Sequence, residues 1–119
     1  MNWYLAKIIF QIVCGEGTHT AQFDEQLRLI AADNREMALH KAIELGKTEE
    51  DSFYNIHQQP VRWNFINVSE LNRMEELQDG AEIYSKIKET EDADSYLTHI
   101  ENRASLIKAK LQQELIIFA

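Results

Sequence analysis

The run Trp3-Tyr4-Leu5-Ala6-Lys7-Ile8-Ile9-Phe10-Gln11-Ile12-Val13 constrains the fold more than any other stretch of the chain. Its even positions, Tyr4, Ala6, Ile8, Phe10 and Ile12, are all apolar, the period-two signature of a strand. Its odd positions are apolar too, interrupted only by Lys7 and Gln11. A strand apolar on both sides belongs in the middle of a sheet, with both faces covered. The rest of the chain is therefore read for what flanks and covers it.

Gly15-Glu16-Gly17-Thr18 ends the run, and a second alternating strand follows with Phe23, Leu27, Leu29 and Ala31 on one side. Directly opposed residues of an antiparallel pair share a face. Joining these odd positions to the even face of the first strand requires an even loop, Gly15 to Thr18 or Gly15 to Thr20. Asp33-Asn34-Arg35-Glu36 then has the form of a capping box with Asp33 as N-cap. The helix it opens, Asp33 to Leu45, carries Met37, Ala38, Ala42 and Leu45 on one stripe, and Gly46 is its expected stop. Val61, Trp63 and Phe65 line one side of a third strand, Val61 to Val68. Apolarity then moves to Ile66 and Val68, a slip of parity expected of a bulge.

Leu71, Met74 and Leu77 recur every third residue, which fits either a short helix or a strand extension over Ser69 to Gln78. Asp79-Gly80 is a turn signal, and Ala81 to Lys88 reads as a fourth strand with Ile83, Ser85 and Ile87 inward. An acidic linker leads to a second helix from Asp94 or Ser95 to about Gln113. The order β-β-α-β-β-α predicts an α+β fold with a four-stranded, mainly antiparallel sheet. One helix would lie on each face, or the second helix would serve a dimer contact.

At 119 residues, 45% of them apolar and 27% charged, the chain has the size and composition of one globular domain. Residues 3–88 would form the sheet and first helix, 94–113 the C-terminal helix and 114–119 an apolar tail. Twenty acidic residues against twelve basic ones give a net charge of -8. That balance repels a phosphate backbone, and no basic stripe is present, so no nucleic-acid partner is expected. Cys14 is the only cysteine, which excludes an intrachain disulfide and fits a reducing cytoplasm. No basic segment precedes the first apolar run, so it does not read as a signal peptide. The longest unbroken apolar run, Leu115 to Ala119, is far short of the ~20 residues of a membrane helix. A soluble, cytoplasmic protein without a membrane partner is expected.

Several stretches together resemble one small bacterial family, domain of unknown function 4288. They are the opening Trp3-Tyr4 strand, the helix with Ala38, Ala42 and Gly46, Tyr54-Asn55, and Val61-Arg62-Trp63-Asn64-Phe65. Asp79-Gly80-Ala81-Glu82-Ile83-Tyr84-Ser85 is the most specific of them. The resemblance covers roughly Trp3 to Ser85. One departure is the glycine expected soon after Tyr54-Asn55, where Ile56-His57-Gln58-Gln59 stands instead. The family has no assigned activity, so the resemblance implies a fold and no mechanism.

No motif carries catalysis. Gly15-Glu16-Gly17-Thr18 echoes a phosphate loop, but a strand follows where that chemistry needs a helix N-terminus. His19, His40, His57 and His99 have no zinc-site spacing. Asp92-Ala93-Asp94 begins like a calcium loop, yet Leu97 and Arg103 occupy its glycine and final glutamate positions. No Gly-x-Ser-x-Gly elbow is present. No catalytic residue, metal or cofactor is therefore expected.

Two functional readings follow. The leading one is a non-catalytic protein–protein interaction module that self-associates as a homodimer, with room for another protein partner. Leu97, Ile100, Ala104, Ile107 and Leu111 form a helical seam at spacings of three and four, and Leu115, Ile116 and Phe118 extend the apolar surface. The alternative is a small-molecule binding protein or minor enzyme. Its groove would be lined by Glu82, Tyr84 and Trp63, with Tyr54 and His57 approaching from a loop.

Overall fold

The computed structural model describes residues 1–118, with side chains for residues 1–116. The chain divides into two compact units, residues 1–85 and the segment from Lys86 onward. The elements are β1 (Asn2–Cys14), β2 (Gln22–Ala32), α1 (Arg35–Thr48), β3 (Asp51–Tyr54), β4 (Pro60–Arg73) and α2 (Ala93–Phe118). The expected α+β class and the order β-β-α-β-β-α are both observed.

The strands form one antiparallel sheet in the order β2-β1-β4-β3, so β1 is interior, as its two apolar sides require. Its even residues Tyr4, Ala6, Ile8 and Phe10 are buried together with Ala38 and Ala42 of α1. This face, against α1, is called the first face below. Phe65 and Phe10 meet edge to face there, with ring centroids 6.1 Å apart.

Gly46 is buried inside α1, which continues to Thr48 with Glu49 as C-cap. It therefore does not stop the helix. A Cβ added to Gly46 would collide with the Phe65 ring and lie 3.2 Å from Ile8 Cγ2. The glycine is needed for close approach of helix to sheet. The N-cap is likewise one residue later than expected: Asn34, not Asp33, has the extended cap conformation, and its Oδ1 accepts from Met37 N–H at 2.8 Å. Both residue types cap well, so local chemistry alone does not separate them.

The β1–β2 register also differs from expectation. Tyr4 opposes Ile30 and Ile12 opposes Gln22, so even residues of β2 share the first face and Phe23, Leu27 and Leu29 take the other. Ile30 and Ala32 are buried, and they lie on the even side. Further along, polar residues of that side find partners of their own. Arg28 makes a two-pronged bond to Glu49, and Trp63 Nε1 reaches Asp24 Oδ2 at 3.2 Å. The apolar period of β2 is thus overridden at one end by burial and at the other by satisfied polar groups.

In β4, pairing with β1 passes over Ser69 and Ile66 as single extra residues. The second of these bulges is the one the parity slip predicted. Bulging returns Phe65, Val68 and Leu71 to one face although their numbers alternate in parity. β4 continues to Arg73, so the stretch after Val68 is at first a strand extension and then irregular through Gln78. Ala81 to Lys88 is not a strand. The fourth strand is instead Asp51–Tyr54, paired through Phe53↔Val61, with Phe53 stacked on Trp63. Asp79-Gly80 does turn the chain, with Gly80 at φ 83 and Ala81 N–H bonded to Gln78 O.

In the second unit, α2 starts earlier than expected and extends through the apolar tail to Phe118. Asp92 Oδ1 accepts from Ser95 N–H at 3.0 Å and serves as its cap. Bonding to Ser95 holds the Asp92 carboxyl below its ordinary value. Among the described residues no helix is long and apolar enough to cross a membrane.

Candidate functional site

The residues expected to line a groove do not come together. Trp63 is opposite Ile12 on the first face, where it packs against the core and is held by Phe53 and Asp24. Tyr84 sits beside Glu70, which opposes Lys7 on the other side of the sheet. Trp63 and Tyr84 are therefore separated by the sheet itself. Glu82, Tyr54 and His57 are exposed.

What the second face does assemble is a charged cluster that sequence reasoning missed. Lys7 interrupts the odd side of β1, and β2 and β4 place carboxylates beside it. Its Nζ lies 3.0 Å from Glu25 Oε1. Glu70 Oε2 is buried and has no hydrogen-bond partner among the described residues. Bonding to Glu25 comes first among the influences that raise the Lys7 amine above its ordinary value. The neighbouring Glu70 carboxylate, then loss of solvent, raises the Tyr84 phenol. Both groups stay protonated at neutral pH, so neither is primed as a base or nucleophile. The cluster gathers charge and hydrogen-bonding groups on the second face. The interruption at Lys7 was visible in the sequence; its partners depended on the β2 register and the β4 bulges.

A second polar group gathers at the end of β1. Asn55 Nδ2 approaches Cys14 Sγ at 3.5 Å and Gln59 Oε1 at 3.2 Å, while Asn55 Oδ1 accepts from the N–H groups of His57 and Gln59. His19 Nε2 accepts from Cys14 N–H at 3.0 Å, which leaves Nδ1 to donate to Thr20 O at 2.8 Å. The imidazole lone pair is thus spent on a backbone amide rather than on the Cys14 thiol. These bonds pin the β3–β4 turn to β1. Gln58 stands in that turn with φ 62, a left-handed conformation that glycine adopts without strain, close to where the resemblance led one to expect a glycine.

One hollow in the first unit lies between the end of β2 and α1. It encloses about 740 Å³ over Ala31, Ala32 and Met37, with Asp33, Glu36 and Glu44 among its walls. In the second unit, Leu97, Ile100, Ile107, Leu111, Leu115 and Ile116 are exposed, Ile100 least at 43%. The side chain of Phe118, also expected at an interface, lies outside the described residues.

The family model described as Domain of unknown function (DUF4288) matches residues 3–85. The match takes in α1 and all of the sheet but Asn2, and the chain belongs to this family. No curated protein and no solved structure matches it significantly.

Proposed function

We propose that this member of the DUF4288 family is a non-catalytic, cytoplasmic protein–protein interaction module that self-associates as a homodimer. The observation that carries the reading is the exposed seam of α2. Leu97, Ile100, Ile107 and Leu111 recur along one side of a 26-residue helix, and all are exposed. Apolar surface of this extent marks an interaction site, and two-fold pairing is the commonest way to bury one. Light scattering after gel filtration should give twice the 13.9 kDa chain mass. The double variant Ile107→Glu/Leu111→Glu should weaken the association while leaving the spectrum of the sheet unchanged. A monomer at tens of micromolar, roughly where a modest interface is already populated, overturns the reading.

A second reading, small-molecule binding, is favoured by the hollow between β2 and α1. Its apolar floor is flanked by carboxylates of Asp33, Glu36 and Glu44 and by the basic groups of Lys41 and His40, a mixed lining that suits a small amphipathic molecule. Such a ligand would raise the thermal midpoint of the full chain, because binding to the native state stabilises it. A flat thermal-shift screen of amines, metabolites and nucleotides rejects this alternative.

A further inference from the structure

The sheet has two edges, and they are built differently. β3 presents four residues, Asp51–Tyr54. β2 presents eleven, Gln22–Ala32, with no proline, glycine or lysine among them. Proteins normally blunt an edge with short strands, lysine, proline or bulges, because a long regular edge is a template for another strand. β3 is blunted by its length. β2 carries three charged residues, Asp24, Glu25 and Arg28, but it is long and pairs with β1 without a bulge. Three apolar side chains stand on its second-face side: Phe23, Leu27 and Leu29, each at least half exposed.

We propose that β2 is the surface in residues 1–85 through which two copies meet, pairing antiparallel with itself across a two-fold axis at Gln26. The proposal rests on the self-association reading and names its contact in the first unit. Ladder bonds on a strand edge come from alternate residues, so a strand pairing with its own copy must be centred on a residue rather than between two. The sequence Gln22-Phe23-Asp24-Glu25-Gln26-Leu27-Arg28-Leu29-Ile30 then discriminates among centres. Centres at Asp24, Glu25 or Arg28 set like charges directly opposite one another, which is destabilising. A centre at Leu27 opposes no charges of opposite sign. A centre at Gln26 opposes Asp24 to Arg28 twice on one face and Phe23 to Leu29 twice on the other, with Gln22 opposite Ile30 and Glu25 opposite Leu27. That register spans Gln22 to Ile30 and ends just before Ala31, whose carbonyl already bonds Lys41 Nζ at 3.0 Å. Asp24 and Arg28 are held in place beforehand: Gln26 donates to Asp24 and accepts from Arg28, and Trp63 Nε1 also donates to Asp24. Glu49 binds Arg28 through both its carboxylate oxygens, so the inter-copy pairs would add to ions already partnered within each copy. The result is a continuous eight-stranded sheet with the two copies of Gln26 at its centre.

The test uses the full chain in sedimentation equilibrium. Asp24→Arg places the new arginine opposite Arg28 and should weaken dimerisation about tenfold, from two opposed pairs reversed in sign. The exchange Asp24→Arg/Arg28→Asp should restore most of the affinity, which a merely misfolded variant would not do. Independently, Gln26→Cys in a Cys14→Ser background should link to its twin with a short bis-maleimide, whereas Glu82→Cys in the same background should not. A wild-type monomer removes the self-association reading and this proposal with it. A wild-type dimer that ignores Asp24→Arg and fails to link at Gln26 overturns the edge pairing alone and leaves α2 as the contact.

Discussion

The two faces of the sheet share the strand β1 and solve opposite problems. On the first face, α1 offers Ala38, Ala42 and Gly46, the smallest side chains available, so the helix settles directly onto Tyr4, Ile8, Phe10 and Phe65. On the second, Lys7 is set among Leu5, Ile9 and Leu27, with Glu25, Glu70 and Tyr84 arranged around its charge. Leu5 is buried there, but Trp3, Phe23, Leu27 and Leu29 remain exposed. A strand apolar on both sides is therefore no guarantee of two equal cores. One face depends on shape and tolerates little change of volume; the other depends on charge pairing and leaves apolar side chains exposed.

The contrast is tested most strongly by truncation. Phe10→Ala should cost about 3–5 kcal/mol, whereas Leu27→Ala should cost less than about 1 kcal/mol, compared by the midpoint of chemical denaturation. Similar losses at the two positions would mean that the faces are equally packed. Gly46→Ala sharpens the argument because its sign is informative. Helix propensity alone would stabilise by about 1 kcal/mol. Collision with Phe65 should instead make the change destabilising by about 1–3 kcal/mol, and Phe65→Leu should relieve part of that loss. A gain in stability for Gly46→Ala would show that helix and sheet can move apart freely.

Asn34→Ala should cost about 1 kcal/mol through the lost cap, and Asp33→Ala should cost clearly less. The reverse order would return the cap to Asp33. The smallest effect belongs to the second face. Following Tyr84 ionisation by NMR should give a midpoint above the ordinary 10.0, falling toward it in Glu70→Gln. Because the folded value is raised, this contribution to stability is complete below the unfolded phenol value and lost as pH rises through the folded one. An unchanged midpoint in Glu70→Gln would remove Glu70 as the cause.

Much of the architecture was legible in local pattern. The doubly apolar run marked β1 as interior, the alanine spacing marked the face of α1, and the shift from Phe65 to Ile66 marked a bulge that is present. Where local chemistry offered near-equivalent choices, reading failed. Asp33 and Asn34 both cap well, and the backbone settles on Asn34. The hydrophobic parity of β2 pointed one way, yet burial of Ile30 and the bonds of Asp24 and Arg28 turned the strand the other way. Ala81 to Lys88 alternates like a strand but pairs with nothing in the sheet, while Asp51–Tyr54 pairs because Phe53 reaches Trp63. The groove failed for the same reason, since it assumed that residues on neighbouring segments shared a face.

By itself the sequence determined the class of the fold, the interior place of β1, the helical character of the C-terminal seam and the family. The first three follow from periodicity and composition, and the family from the motifs it resembles; each is carried within the segments themselves. Only the tertiary structure decided which side of β2 faces α1, which residues surround Lys7, why Gly46 has no side chain and which edge is left open. Each of those depends on how one segment is placed against another. A shift of a single residue in a strand exchanges its faces.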